Sequence, residues 1–172
     1  MLNGTKIKLR ALEPKDIDVL FEWENNTSFW RISDTIQPFS RFALEQYVSS
    51  VQDIYTQKQL RFMIEEKDSK TAIGCVDLFD FDPRNKRVGV GILISDSINR
   101  SKGFGRESIE LILEYCFAIL ECHQVYCNVL LDNEISIKLF KSLGFGSVGV
   151  KKDWIRIDKK MHDEVLLQKI LN

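Results

Sequence analysis

Apolar and polar residues alternate along several short stretches of the chain, which is the pattern of half-buried β-strands. Near the N-terminus, for example, Ile7 and Leu9 alternate with charged neighbours. Turn-forming residues at Asp68–Lys70 and Asp82–Asn85 separate three consecutive stretches in the middle of the chain. The pattern predicts strands at 6–10, 61–67, 72–81, 86–95, 124–131, 145–157 and 164–171.

Between these stretches, apolar residues recur at the three- to four-residue spacing of helices. Pro14 suits the first position of a helix and Ser40 suits an N-cap, so each marks a helix start. Gly144 suits a left-handed C-terminal cap and marks a helix end. The polar stretch Asn25–Ser40, which Pro38 interrupts, is predicted to be a loop. The predicted helices cover about 14–24, 41–55, 103–120 and 133–143.

The order of these elements predicts the fold class. Three consecutive strands joined by short turns form an antiparallel meander. The strand–helix–strand step from 86–95 to 124–131 instead requires a parallel pair with a right-handed crossover. The prediction is a mixed α/β (α+β) fold in one domain, residues 1–172, whose mostly antiparallel sheet has about seven strands and carries helices on both faces.

Composition narrows the functional classes. The chain has 172 residues, typical of one domain, and its formal net charge of -1 lacks the basic excess of nucleic-acid-binding proteins. The N-terminal residues contain no apolar signal core, and no apolar run reaches the roughly 18 residues of a membrane span. We therefore expect a cytoplasmic protein with no membrane or nucleic-acid partner. A basic cluster keeps RNA contact as an alternative to a solvated hairpin, at Lys151, Lys152, Arg156, Lys159 and Lys160.

The four cysteines, Cys75, Cys116, Cys122 and Cys127, lie in otherwise hydrophobic stretches. Without an export signal, reduced thiols are expected. Three of them lie near His123 in the sequence, but no Cys-x-x-Cys pair is present and the residues straddle a helix end and a strand. We therefore expect core packing and no metal site.

The stretch from Arg100 to Arg106 joins a predicted strand to the longest predicted helix. Unpaired N–H groups and the helix dipole favour an anion at such a helix start. Gly103 and Gly105 carry no Cβ, so a phosphate can approach the backbone closely. Arg100, Lys102 and Arg106 add positive charge. The stretch predicts a pyrophosphate site, although it matches neither a Walker loop nor the GxGxxG dinucleotide motif, and a simple turn is the alternative.

Two glycines in the preceding strand, Gly89 and Gly91, fall on one face of that strand. Paired glycines in a strand indicate a bulge or a close backbone neighbour, and the simpler alternative is that they make room for a packed aromatic ring. A further segment, Asn133–Phe145, begins at the end of the next parallel strand. Ser136 and Phe140 are four residues apart in this segment and therefore share one helix face.

Two motifs in these segments resemble those of a known family. Arg100-Ser-Lys-Gly-Phe-Gly resembles the acetyl-CoA loop of the GNAT N-acetyltransferase superfamily, Arg/Gln-x-x-Gly-x-Gly/Ala. Asn133–Phe145 is similar to that superfamily's second cofactor segment, N-x-x-S-x-x-L-(Y/F)-x-x-x-GF. Within the superfamily, the opening IKLRALEPKDIDVLFEWEN and the terminal hairpin resemble the ribosomal-protein-alanine and diamine (spermidine) acetyltransferase branch.

This resemblance implies a fold and a cofactor. In a GNAT-like fold the strands at 86–95 and 124–131 splay apart, and the pantetheine arm of acetyl-CoA lies in the gap between them. Gly89 and Gly91 suit such a strand, and a backbone N–H near Leu93–Ser95 is expected to stabilise the oxyanion. The expected cofactor contacts are Leu93, Ile94, Ser95, Arg100, Ser101, Lys102, Gly103, Phe104, Gly105, Arg106, Asn133, Ser136 and Phe140.

The resemblance also implies direct attack of a primary amine on the acetyl thioester. The acceptor is expected to be a polyamine or diamine, another small-molecule amine, or a protein N-terminal α-amine. Many relatives have a tyrosine at the position of Phe140 to protonate the leaving thiolate; here Ser136 or a water is the candidate substitute, and an alkyl thiol with a pKa of roughly 8.5 can also leave without an acid. The candidate general bases are Glu22, Asp34, Asp77 and Asp80.

Some features of the sequence allow more than one interpretation. The missing tyrosine is compatible with a catalytically weak or inactive CoA-binding module that senses or scaffolds. Trp23, Phe29 and Trp30 either floor an acceptor pocket or fill the edge of the core. The terminal pair of strands is expected to help form a homodimer, as similar proteins often pair through this region.

Overall fold

The computed structural model describes residues 2–33, 35–50, 52–99 and 102–171. Its strands are β1 (Leu2–Asn3), β2 (Ile7–Ala11), β3 (Leu60–Glu66), β4 (Ala72–Asp82), β5 (Arg87–Ile94), β6 (Gln124–Leu130), β7 (Gly146–Ile157) and β8 (Lys160–Ile170). Its α-helices are α1 (Ile17–Glu24), α2 (Thr27–Ser33), α3 (Arg41–Ser49), α4 (Ile54–Gln57), α5 (Phe104–Ala118) and α6 (Glu134–Ser142). Short 3₁₀ turns at Pro14–Asp16 and Ser97–Asn99 precede α1 and α5.

The eight strands of the described chain form one sheet in the order β1-β2-β3-β4-β5-β6-β8-β7. Neighbouring strands are antiparallel except β5 and β6, which run parallel. The predicted mixed fold, with its antiparallel meander and its parallel crossover, is therefore confirmed. β1 is an addition to the predicted strands, because the two residues Leu2 and Asn3 are too few for alternation to appear.

Side chains of the central strands alternate between two hydrophobic cores. Ile64 and Val76 belong to the core that α5 covers. Their sequence neighbours Met63 and Cys75 belong to a second core, which α1, α2 and α3 cover. Helices therefore lie on both faces of the sheet, as predicted.

The predicted loop at 25–40 contains the helix α2, so this part of the prediction was wrong. The side chain of Asn26 accepts a hydrogen bond from the N–H of Ser28 (3.0 Å), and its backbone carbonyl accepts one from the N–H of Phe29 (2.9 Å). Phe29 is buried in the second core, and this tertiary contact stabilises a helix too short to be stable alone. The polar residues around Phe29 concealed that contact in the sequence pattern.

The predicted helix at 41–55 is two helices. α3 ends at Ser49, and the hydroxyl of Ser50 donates to the carbonyl of Tyr47 (2.6 Å) at this end. α4 begins after Asp53, whose carboxylate accepts a hydrogen bond from the N–H of Tyr55 (3.1 Å). Both breaks arise from side chains that satisfy backbone groups locally and so compete with a continuous helix.

The last hairpin has a tighter turn than the sequence pattern predicted. Asp158 and Lys159 both adopt left-handed backbone conformations, with φ values of 47° and 66°. Two successive left-handed residues form the two-residue turn that matches the twist of antiparallel strands. β8 therefore begins at Lys160, four residues earlier than expected.

Candidate functional site

β5 and β6 pair only at their N-terminal ends and then diverge. Their parallel ladder covers Arg87–Gly89 of β5 and Gln124–Tyr126 of β6. Beyond it, β5 keeps β4 as its partner and β6 keeps β8. A cavity of about 130 Å³, the gap cavity, lies between the diverging strands and is lined by residues of both. The splayed parallel pair that the resemblance implied is present.

The two glycines of β5 differ in their surroundings. A Cβ on Gly89 would lie 2.3 Å from the ring of Phe79 on β4, so this glycine makes room for a packed aromatic ring. A Cβ on Gly91 would lie 3.9 Å from the same ring, and nothing else described comes within 4 Å. Gly91 therefore leaves open space on the face of the sheet that carries α1, α2 and α3.

The direction of the β5 backbone determines which N–H groups face the gap. The N–H of Ser95 donates to the carbonyl of Ile73 on β4 (3.0 Å), and so does its hydroxyl (3.0 Å). Because successive residues of a strand donate to opposite sides, the N–H of Leu93 also faces β4, and those of Ile92 and Ile94 face the gap. Of Leu93, Ile94 and Ser95, Ile94 is therefore the residue whose N–H faces the gap.

The start of α5 presents unpaired backbone donors. Gly103 caps the helix with a φ of 89°, a left-handed conformation that glycine adopts without strain. The first backbone bond within the helix runs from the N–H of Glu107 to the carbonyl of Gly103 (3.0 Å). The N–H groups of Phe104, Gly105 and Arg106 consequently have no acceptor within the helix. This geometry is suited to an anion, as the sequence predicted.

The side chains of the predicted cofactor loop contribute unequally. Lys102 and Arg106 are exposed and cationic, so their long side chains can turn towards a bound phosphate. Phe104 is buried in the core that α5 covers and offers only its backbone. Arg100 and Ser101 lie outside the described residues.

A second cavity, of about 360 Å³, extends from the start of α5 to the splayed strands and is called the helix cavity. Gly105 and Ile94 line it at the helix end. Ile92, Asn133 and Ser136 line both the helix cavity and the gap cavity. An elongated ligand can therefore run from the N-terminus of α5 into the gap.

The first turns of α6 border both of these cavities. The side-chain oxygen of Asn133 caps α6 by accepting a hydrogen bond from the N–H of Ser136 (3.2 Å), which leaves the amide nitrogen of Asn133 for a ligand. Phe140 is 3% exposed, lines the gap cavity and packs edge-on against Phe145, with ring centroids 5.1 Å apart. The structure thus brings Ser136 and Phe140 to the gap cavity.

A third cavity, the broad cavity, has a volume of about 720 Å³ and adjoins the gap cavity at Val90 and Gly91. It lies over the open face of Gly91, beneath α2 and α3. Apolar and aromatic side chains form much of its wall. The charged residues that line it are Glu24, Arg61, Asp77 and Glu164.

Arg61 on β3 joins two of these carboxylates. Its Nε and Nη2 donate to the two carboxylate oxygens of Asp77 on β4, at 2.6 and 2.9 Å, and its Nη1 donates to Glu24 of α1. Burial by itself lowers the pKa of Arg61, but the charges of Asp77 and Glu24 raise it well above its usual value. The third carboxylate, Glu164, pairs with Lys151 across the β7–β8 hairpin.

The four candidate bases are placed differently. Asp77 lines the broad cavity. Glu22 is exposed on α1 and lines none of the three cavities, whereas Glu24, two residues later, lines the broad cavity. Asp80 lies at a bulge of β4 with a φ of 49° and also lines none of the three. Asp34 lies outside the described residues. Of the described candidates, Asp77 is therefore the one that lines any of these three cavities.

Sequence reasoning missed Glu24, Arg61 and Glu164. Arg61 and Asp77 are directly opposite each other in the β3–β4 ladder, and Lys151 and Glu164 are opposite in the β7–β8 ladder. Pairing oppositely charged residues across the predicted hairpins would have found both ion pairs. No comparable signal exists for Glu24, because its contact with Arg61 spans two elements that are not neighbours in sequence.

The structure also describes the cysteines, the helix lengths and the basic cluster. The four cysteines are buried free thiols, and within the described ranges no group of three or more His, Cys, Asp or Glu side chains is placed to hold a metal ion. No helix among the described residues has the length and apolar character needed to cross a bilayer. In the basic cluster, Lys151 and Lys152 pair with Glu164 and Asp163, so these two lysines are not a free basic surface.

A family model described as an acetyltransferase (GNAT) domain matches residues 6–146 of the chain. The chain belongs to the GNAT acetyltransferase family. This GNAT enzyme transfers an acetyl group from acetyl-CoA to an amine. Its structure fits an elongated cofactor that carries phosphate groups, through the free backbone donors at α5, the helix cavity and the gap.

Several relatives of this GNAT enzyme have names that state a substrate. It is 29% identical over 150 residues to the spermidine N(1)-acetyltransferase of Vibrio cholerae, covering 85% of this chain and 82% of that enzyme. It is 28% identical over 151 residues to the Escherichia coli K12 enzyme of the same name, covering 87% and 77%. The crystal structure of the Vibrio cholerae enzyme in complex with CoA and spermine matches with a TM-score of 0.87 at 25% identity, covering 97% of this chain and 96% of that one. A dodecameric structure of that enzyme matches with a TM-score of 0.80 at 26% identity, covering 97% and 95%.

Proposed function

We propose that the acceptor is the primary amine of a small molecule and that this amine attacks the acetyl thioester directly. The junction at Gly91 is the observation that carries the proposal. The broad cavity and the gap cavity meet there, so an amine in the first can reach a thioester in the second. Holding the two reactants in adjoining cavities supplies the proximity that direct transfer requires, without an intermediate on the protein.

We infer that the pyrophosphate of acetyl-CoA binds the N–H groups of Phe104, Gly105 and Arg106 at the start of α5. The pantetheine arm then follows the helix cavity into the gap, where the amide nitrogen of Asn133 is within its path. The N–H of Ile94 faces the gap and is the donor that stabilises the oxyanion formed by amine attack.

The acceptor amine arrives protonated, because the pKa of an aliphatic ammonium group is roughly 10. Asp77 is the carboxylate proposed to hold this ammonium group and to take up its proton, through water where necessary. Its side chain is 36% exposed, whereas that of Glu24 is 17% exposed, so Asp77 has the better path to solvent. Arg61 positions Asp77 through two hydrogen bonds and leaves its remaining lone pairs free.

The leaving thiolate needs less help than the amine. The pKa of an alkyl thiol is roughly 8.5, so a thiolate can depart without a strong general acid. Ser136 lines both the gap cavity and the helix cavity and is the hydroxyl proposed to hydrogen-bond the departing sulfur. Phe140 offers no hydroxyl at the same cavity.

We further propose a cytoplasmic homodimer that pairs through the β7–β8 hairpin. Apolar side chains are exposed on this hairpin at Val148 (57%), Trp154 (58%) and Met161 (48%). Exposed apolar side chains of this kind can contribute to a protein interface. The dodecameric relative supports assembly in general, and the four free thiols suit a reducing compartment.

Gly91→Leu tests the proposed junction. The new side chain would extend into the open space over Gly91 and block the amine, so kcat/KM for the acceptor should fall on the order of 100-fold. Thiol release from acetyl-CoA measures turnover, and calorimetry with CoA shows whether the donor still binds.

Gly149→Leu is the matched control, because Gly149 is also a strand glycine and a Cβ there meets nothing within 4 Å. It lines none of the three cavities, so turnover should be unchanged, and sedimentation verifies that this substitution on β7 leaves the oligomeric state unchanged. Equal turnover by the two variants would contradict the proposed junction. CoA binding without thiol release for any amine would instead support the inactive sensor or scaffold module.

A further inference from the structure

Each carboxylate that lines the broad cavity, among the described residues, already has a cationic partner. Glu24 and Asp77 share Arg61, and Glu164 pairs with Lys151. Three carboxylates and two cations leave one unit of negative charge. That charge is concentrated where Glu24 and Asp77 share a single guanidinium group, next to the open face of Gly91.

The remaining wall of the broad cavity is mostly apolar, with neutral polar side chains at Ser33, Thr35, Gln59 and Asn128. Ile32 and Phe39 lie at the α2 end, Leu44 and Tyr47 come from α3, and Phe79 comes from β4. Burial raises the pKa of Tyr47, so its ring carries a neutral hydroxyl at physiological pH. A hydrocarbon or aromatic chain can therefore pack against the apolar part of this wall.

We propose that the acceptor carries a single cationic nitrogen, the one that is acetylated, on an alkyl or arylalkyl body, and that Arg61 is the residue that excludes a second ammonium group. This inference rests on the proposed function, because it assumes that the amine occupies the broad cavity. It separates this enzyme from relatives whose names specify spermidine, a substrate with several cationic nitrogens.

The physical reason is the cost of burying an unpaired cation. The first ammonium group meets the surplus negative charge of Glu24 and Asp77 and is stabilised by it. Among the described residues of the cavity, a second ammonium group would lose its hydration and meet only carboxylates that are already paired and neutral hydroxyl and amide oxygens, which offset that loss less than a free carboxylate would. To gain a partner it would have to displace Arg61 or Lys151, and leaving either of these cations without its carboxylate is also unfavourable.

Two amines of equal length test this directly. Hexylamine and 1,5-diaminopentane each have seven heavy atoms in line and differ only in whether the far end is a methyl or an ammonium group. Thiol release should give a kcat/KM for hexylamine that exceeds that for 1,5-diaminopentane by about 10- to 100-fold, the range expected for leaving a charged group unpaired. Equal values, or a preference for the diamine, would overturn the inference and leave the proposed function intact.

A failure of the proposed function would give a different experimental result from a failure of this inference. If neither amine releases thiol while a peptide with a free N-terminus does, the small-molecule acceptor is wrong and the inference falls with it. Release with the peptide is therefore measured in the same series, with CoA binding by calorimetry to verify that each sample is competent.

Removing a cation from the cavity tests the role of charge. Arg61→Met should lower the preference for hexylamine at least about tenfold, because Glu24 and Asp77 then offer an unpaired carboxylate to the diamine. Lys151→Met frees Glu164 in the same way and changes a partly exposed residue, so it carries the test if Arg61→Met does not fold.

Lys152→Met is the matched control. Lys152 is the next residue on β7, it pairs with Asp163, and it lines none of the three cavities. This variant should keep the preference of the unaltered enzyme. An unchanged preference in the folded Arg61 and Lys151 variants, or an equal change in the Lys152 variant, would overturn the assignment of selectivity to the ion pairs of the broad cavity.

Discussion

Gly105→Ala should make the enzyme more stable and weaken its binding of CoA. A Cβ at Gly105 would lie 3.5 Å from Leu139, 3.7 Å from Ile92 and 4.0 Å from Ile94, all of which are ordinary van der Waals distances. Replacing a helical glycine by alanine without strain stabilises a protein by about 0.5–1 kcal/mol. For a domain of this size that is a rise in Tm of roughly 1–4 °C.

The same methyl group would occupy part of the helix cavity, which Gly105 lines. Adding a methyl group to a filled site costs about 1–3 kcal/mol. The Kd for CoA should therefore rise by roughly 5- to 150-fold. Thermal unfolding of the free protein and calorimetric titration with CoA measure the two effects on the same sample.

Gly103→Ala is the contrasting variant. The φ of 89° at Gly103 costs an alanine about 1–2 kcal/mol, although its Cβ would meet only Lys6 Nζ, at 3.5 Å. We expect its Tm to fall while CoA binding also weakens. A raised Tm for Gly105→Ala with an unchanged Kd for CoA would refute the path of the cofactor along the helix cavity.

Three further predictions have defined outcomes. If departure of the thiolate limits the rate, Phe140→Tyr should raise kcat about tenfold or more, because its hydroxyl would reach the gap cavity and protonate the leaving thiolate; an unchanged kcat with both substrates saturating would show that another step limits the rate. Although burial raises the pKa of Asp16, its hydrogen bonds, chiefly from Arg10, lower it below the usual value, and Lys8 and Arg10 lower the pKa of Glu65. The stability contributed by these two carboxylates should therefore be fully present above about pH 5 and be lost as the pH falls below about 4, because the unfolded chain binds protons at these groups before the folded protein does; urea titrations from pH 3 to 7 measure it, and a flat profile would contradict the assignment. Trp154→Glu should convert the dimer to a monomer by sedimentation, and a 20.0 kDa species for the unaltered chain would rule out the dimer itself.

The spacing of residues in the sequence was sufficient to predict the strands and helices that form the cofactor site. Alternation assigns each strand residue to one face, so Gly89 and Gly91 could be placed on the same face of β5 before any coordinates. The sequence also predicted the helix start at Gly103, where the structure begins α5 after this residue. These features depend on neighbours in sequence, and short-range geometry determines them.

Other features of the site depend on contacts between elements that are distant in sequence, and only the tertiary structure determines them. Arg61 acquires its role because β3, β4 and α1 bring it to Asp77 and Glu24, which lie 16 and 37 residues away. Gly89 and Gly91 are equivalent in sequence pattern, and only the position of the Phe79 ring makes one a packing residue and the other an opening. Likewise, the bond from Ser95 to Ile73 determines which N–H groups face the gap. Periodicity specifies the face on which a side chain lies, whereas charge pairing, open space and hydrogen-bond direction depend on which atoms the folded chain brings within a few ångströms.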